Sequence, residues 1–171
     1  MANRVRAGVA LLALLAFGGC ASGAKARGGR FADAPGGGSI GDLAALEPGW
    51  RPERGDDAVI AFRHVDGTRA SWVRDCRAAE VSPKALGRSL WIALPGGEIE
   101  ADAARDIAGL AAWEFSGSAQ QGGRALRVAT ITRVGKRCED SWLLVSPHAE
   151  LHHKDVFERW VASFADGEGS R

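Results

Sequence analysis

"DDAVIAFRHVDGTRASWVRDC", residues 56–76, carries the clearest local signal in the chain. Two apolar runs flank Asp66-Gly67. Asp-Gly between such runs is the strongest short-range hairpin signal, because a type I′ turn needs positive φ at both central positions. A two-residue loop there pairs Val65 with Thr68, Phe62 with Ser71 and Ile60 with Val73. Apolar residues then fall on both faces, Ile60 and Phe62 on one, Val59, Ala61 and Trp72 on the other. A strand pair covered on both sides is the expectation.

Downstream, "VSPKALGRSLWIALPGG" (81–97) reads as a helix. Ser82 is a good N-cap and Pro83 a good first helical residue. Leu86, Leu90 and Leu94 recur at helical spacing beside Trp91, and Pro95 with two glycines stops the run. Residues 97–109, "GEIEADAARDIAG", read either as a short helix or as a loop running into a strand. "LAAWEFSGSA" is strand-like and "QQGG" a turn. "RALRVATITRV" alternates, with Leu126, Val128, Thr130 and Thr132 on one face and Arg127, Ala129, Ile131 and Arg133 on the other. "GKRCED" turns again before the apolar strand "SWLLVSP", giving a three-stranded antiparallel meander. "HHKDVFERWVASFADG" (152–167) closes with a helix whose Val156, Phe157, Trp160, Val161 and Phe164 form one apolar stripe. Asp155 with Glu158 fits a capping box, and Gly167 a C-terminal stop.

Hairpin, helix, meander, helix is an α+β order: an antiparallel sheet of about five or six strands with two main helices. Over residues 50–165 this order resembles the Mog1/PsbP-like sandwich, found also in DcrB-type periplasmic lipoproteins. The resemblance implies binding and assembly roles rather than catalysis. Fold analogy alone does not give function.

The amino-terminal end is a targeting segment. Arg4 and Arg6 precede an apolar run from Ala7 to Phe17, too short for the roughly 20 residues that cross a bilayer. Gly18, Gly19 and Cys20 then resemble a bacterial lipobox, with Phe17 where an aliphatic residue is usual. The resemblance implies removal of residues 1–19, lipidation of Cys20 by diacylglycerol and a fatty acid such as palmitate, and, with Ala21 next, an outer-membrane anchor facing the periplasm. The alternative is a plain secretory signal cut near Ala21. Residues 20–41, rich in Gly, Ala and Ser, read as a flexible tether. Residues 42–166 read as one globular domain, and 167–171 as a disordered tail.

Removing residues 1–19 takes away two arginines and no acid, leaving 20 basic against 21 acidic residues. That balance excludes the concentrated basic patch of a nucleic-acid binder. The expected partners are the membrane, through Cys20, and an envelope protein that the sequence does not identify. Cys76 and Cys138 remain after Cys20, and in an oxidising compartment such a pair is a disulfide. Trp72, Trp91, Trp113, Trp142 and Trp160 are core material first; lining a site for a lipid or other apolar ligand is the competing reading, which would make the chain a carrier.

No reaction is named by a motif. There is no G-x-S-x-G elbow, and "PGGGS" and "QQGG" are too short for a phosphate loop, so no cofactor is expected. Glu98, Glu100, Asp102 and Asp106 lack EF-hand spacing and read as a solvated acidic loop. His148 and His152, with Asp155 near, have the spacing of metal ligands, but a His pair on a loop reads as solvated, and no metal site is assigned.

Overall fold

The computed structural model describes residues 29–32, 37–53, 59–76 and 81–166. Two short strands, β1 (Arg30–Ala32) and β2 (Ser39–Gly41), pair with each other and lead into a single-turn helix α1 (Leu43–Leu46). Then come β3 (Trp50–Glu53), β4 (Val59–His64), β5 (Arg69–Asp75), helix α2 (Pro83–Ala93), β6 (Glu98–Ile107), β7 (Leu110–Gln121), β8 (Arg124–Val134), β9 (Glu139–Ser146) and helix α3 (Lys154–Ala162). The seven strands β3–β9 form one antiparallel sheet in the order β3-β4-β5-β9-β8-β7-β6. The α+β class holds, with more strands than expected: among the described residues, seven plus a two-stranded ribbon, and three helices.

The sheet is covered on both faces. On one, Leu90 and Trp91 of α2, with Leu94 at its C-cap, pack on Phe115, Ala119, Leu126, Val128, Leu143 and Val145. On the other, Val156, Phe157, Trp160 and Val161 of α3, with Phe164, pack on Ile60, Phe62, Trp72, Ile131, Trp142 and Leu144. The alternation of β8 therefore sorts correctly: Leu126 and Val128 face α2, Ala129 and Ile131 face α3. Ser82 caps α2 as expected, its side chain accepting from the Ala85 amide, with Pro83 in the first turn.

The β4–β5 hairpin forms one residue away from its expected register. Ile60 lies opposite Trp72 and Phe62 opposite Ala70. Gly67 takes φ +95°, but Asp66 is not among the described residues with positive φ, so no type I′ turn forms there. The Asp66 carboxylate instead accepts from the Thr68 amide at 2.8 Å, and the His64 amide donates to the Thr68 carbonyl at 2.8 Å around a three-residue loop. One residue of slip exchanges faces, so Trp72 joins Ile60 and Phe62 instead of Val59. Paired positive φ values occur elsewhere, at Ala108-Gly109 between β6 and β7 and at Gly122-Gly123 between β7 and β8.

Four further expectations change. Residues 98–107 are a ten-residue edge strand, making the meander four-stranded. The final helix has no capping box: its N-cap is His153, at φ 60°, and Asp155 lies within the first turn. The helix ends at Ser163, short of Gly167, which lies outside the described residues, as do the signal segment, Cys20 and the tail 167–171. The expected tether includes packed chain: Phe31 and Ile40 belong to the core, Phe31 meeting the Phe62 ring edge-on at 5.2 Å.

Candidate functional site

Trp72 and Trp142 face each other across β5 and β9, and each meets the Phe164 ring near 5.4 Å, at 5.5 and 5.3 Å. Trp160 is buried on α3 and donates to the Gly41 carbonyl at 2.8 Å; Trp91 is buried on α2 and donates to the Thr130 hydroxyl at 2.9 Å. Trp113 is half-buried, donates to Asp102 Oδ1 at 3.2 Å and lies under the Lys84 ammonium. The protein's own side chains therefore surround the tryptophans proposed to line a ligand site. Cys76 and Cys138 are joined by a disulfide that ties the end of β5 to the turn before β9.

Beside that disulfide lies a charge network that the alternation of β8 does not reveal. Arg133 and Asp140 are fully buried, with Arg133 donating to Asp140 Oδ2 through Nε at 3.1 Å and Nη2 at 2.9 Å. Arg74 reaches Asp140 Oδ1 at 3.4 Å and Asp166 Oδ1 at 3.0 Å, and Arg133 also contacts Asp166. Both guanidiniums stand over Phe164. The network fastens the C-terminal segment to the sheet, with Asp140 and Asp166 each facing both guanidiniums.

The densest polar constellation is at the opposite end of the hairpin. All four histidines of the chain gather there around Asp66 and Glu47. Asp66 comes from the β4–β5 turn, His64 from the end of β4, Glu47 from the end of α1, and His148, His152 and His153 from the loop between β9 and α3. Asp66 Oδ2 lies 3.1 Å from His153 Nε2, 3.3 Å from His148 Nε2 and 3.4 Å from His152 Nδ1; Asp66 Oδ1 lies 3.0 Å from His64 Nδ1. His153 Nδ1 sits 2.8 Å from Glu47 Oε2, which also accepts from Trp50 Nε1 at 2.9 Å. The His64 and His153 rings are 4.0 Å apart, and the His148 and His152 rings stack at 4.1 Å. Burial opposes ionisation of Asp66, but the Thr68 amide, the Thr68 side chain, His64 and His153 outweigh it and hold its carboxyl well below the usual carboxylate range.

The loop between β9 and α3 is largely solvated, as its sequence suggests, with His152 exposed, yet its histidines converge on the hairpin turn. Two sets of three ligand atoms come within 4.8 Å of one another: Glu47, His64 and His153, and Asp66, His148 and His152. Asp155, the carboxylate expected near the pair, is exposed on α3 and pairs with Arg159 at 3.5 Å. Asp66 was legible only as a turn residue, and nothing in the spacing of residues 64 and 148 signals their convergence. Only the antiparallel return of β9 beside β5 brings the two loops together.

No protein-family model matches this chain, and no curated protein matches it by sequence. Solved structures do match in fold. LpqN of Mycobacterium tuberculosis, involved in cell envelope biogenesis, aligns at TM-score 0.58 and 16% identity over 75% of this chain and 82% of LpqN. The cyanobacterial PsbP of Synechocystis aligns at TM-score 0.57 and 13% identity over 80% of this chain and 91% of that one. A Pseudomonas aeruginosa protein of unknown function, PA94, aligns at TM-score 0.53 and 19% identity over 61% of this chain and 80% of its own. At these identities the likeness concerns architecture alone, and the chain has a PsbP-like fold.

Proposed function

We propose that this chain is an envelope lipoprotein, anchored through acylated Cys20 to the outer membrane and facing the periplasm, that acts by binding a protein partner as an accessory or assembly factor and not by catalysis. The Cys76–Cys138 disulfide carries the reading most directly, because a bonded pair of this kind belongs to an oxidising compartment. The Phe17-Gly-Gly-Cys20 sequence after a short apolar run supports the anchor. The PsbP-like fold, shared with a protein of cell envelope biogenesis, supports an accessory role. No described helix is long and apolar enough to cross a membrane, so this reading places the whole attachment in the lipid.

The test is to express the full chain in a Gram-negative host fed an alkyne-bearing fatty acid. The expected result is a labelled protein in the outer-membrane fraction, a Cys20→Ser variant without label, and an in-envelope crosslink to a discrete partner. Wild-type chain that takes no label, or is released with the soluble periplasm, overturns the anchor. A lipid adduct on the folded domain in native mass spectrometry would favour the carrier reading.

A further inference from the structure

We propose that Asp66, His148 and His152 form a binding site for one divalent transition-metal ion of the zinc class, oriented by the neighbouring Glu47–His153 pair and His64. The inference rests on the side chains of the hairpin turn and the loop between β9 and α3, and is independent of the anchor.

The distances suit a metal as well as hydrogen bonds, although His152 Nδ1 and His153 Nε2 already stand in hydrogen-bonding geometry to Asp66 Oδ2 at 3.4 and 3.1 Å. Zinc lies about 2.0–2.2 Å from imidazole nitrogen and carboxylate oxygen, and tetrahedral geometry then separates neighbouring ligand atoms by roughly 3.3 Å. His148 Nε2 and His152 Nδ1 stand 3.3 and 3.4 Å from Asp66 Oδ2. In such a site each lone pair points at the ion, roughly 35° off the line to the next ligand. A ligand nitrogen is therefore close to the carboxylate yet badly aligned for a hydrogen bond with it. His148 Nε2 is in that condition: it is shielded from solvent, 3.3 Å from Asp66 Oδ2, and without a hydrogen-bond partner. Buried polar atoms in that state call for an explanation, and an ion supplies one.

The surroundings also match those of a metal centre. Ligating imidazoles and carboxylates are usually held by further hydrogen-bonding groups. Here Asp66 Oδ1 meets His64, the Thr68 amide holds the same oxygen, and His153 bridges Glu47 to Asp66 Oδ2. His148 and His152 have 35% and 45% of their side-chain surface open, and their rings, stacked at 4.1 Å with planes 17° apart, turn on binding so that both lone pairs meet one ion, leaving a fourth position for water or a partner's side chain. A mixed nitrogen and oxygen donor set suits zinc and its neighbours in the first transition row over calcium or magnesium, which take oxygen.

The experiment is calorimetric titration of the full chain, in detergent micelles and stripped with EDTA, with ZnCl2 in two buffers of different ionisation enthalpy. The expected result is one tight equivalent, proton release on binding, a raised Tm, and a visible spectrum of tetrahedral type when Co²⁺ replaces Zn²⁺. His148→Ala and His152→Ala should each weaken Zn²⁺ binding by about 100-fold or more, and His153→Ala by about 10-fold, as expected of an orienting residue. Asp155→Asn should bind as the wild type does. Neither His148 nor His152 contributes to the apolar core, so both variants should melt with the wild type in EDTA. Absence of a stoichiometric Zn²⁺ site in the wild type overturns the proposal. So does wild-type Zn²⁺ affinity in both His148→Ala and His152→Ala, whatever their Tm.

Discussion

Glu139 stands directly opposite Asp75 across the β5–β9 ladder. Burial raises its carboxyl above the ordinary value, and the Asp75 charge raises it further. A carboxyl raised on folding favours the folded state fully below its unfolded pKa, and that advantage is lost as pH rises through the folded value. Glu139→Gln should therefore be more stable than the wild type at neutral pH, with the difference vanishing on acidification below about pH 4, where the unfolded carboxyl is also protonated. Urea melts at a series of pH values read this. Arg133 presents the opposite case. Arg133→Met leaves Asp140 buried with Arg74 and the Trp72 indole but without its bidentate partner. Removing one member of a buried pair costs about 3–5 kcal/mol, and the midpoint of chemical unfolding should fall accordingly. Such residues show how unevenly the sequence speaks. Ser82 and Pro83 announce a helix start because their chemistry is local. Arg133 occupies a polar-looking position of an alternating strand, and its burial is made tolerable by Asp140 across the β8–β9 ladder together with Asp166, neither of which its own strand announces.

Among the elements, β6 was the least legible, and its composition explains why. Nine of its ten residues are exposed, so no apolar periodicity marks it. Its identity comes from pairing with β7 and from the positive φ values of Ala108 and Gly109 at the connecting turn. A long edge strand invites pairing with other chains. Here charge covers the edge: Arg127 grips Glu100 with two 2.6 Å bonds and holds that carboxyl below its usual range, and a register shift interrupts the ladder between Ile99 and Ala101. Gly117 makes the irregularity possible, since a Cβ there would come within 1.9 Å of the Glu98 carbonyl oxygen. Gly117→Ala should cost about 1–3 kcal/mol as an overpacking change, seen as a lowered urea midpoint. The β4–β5 hairpin shows the reverse relation: the sequence located the element correctly and misplaced its register, because Asp66 closes the turn through its side chain while only Gly67 takes positive φ. Asp66 looked like punctuation for the same reason, and its chemical value depended on a loop more than 80 residues away.

At the scale of the molecule, the layers of the PsbP-like sandwich were legible because both covering helices carry clear apolar stripes. The start of the packed structure was not. A Gly-rich context concealed Phe31 and Ile40, two apolar residues that complete the core against Phe62 and α3. Phe31→Ala should cost about 3–5 kcal/mol, the usual range for emptying a buried aromatic position, and scanning calorimetry will show whether residues before 42 belong to the cooperative unit. Reducing Cys76–Cys138, which closes a loop across 62 positions, should cost about 4 kcal/mol on the chain-entropy account, and a melt with and without reductant measures it. The two ends of the described chain are laced together. Ser39 and Ala165 exchange backbone hydrogen bonds of 2.9 and 2.8 Å, the Ser163 hydroxyl accepts from the Gly41 amide at 2.9 Å, and Arg30 donates to the Ser163 carbonyl at 2.7 Å. This lacing makes the domain a mechanical clip. A pull arriving along the amino-terminal segment loads the C-terminal strap in parallel with the β1–β2 ribbon, so several short crosslinks share the force before any reaches the large sheet. In a pulling experiment from residue 29, the first yield should be release of this clip, with the seven-stranded sheet still closed behind it.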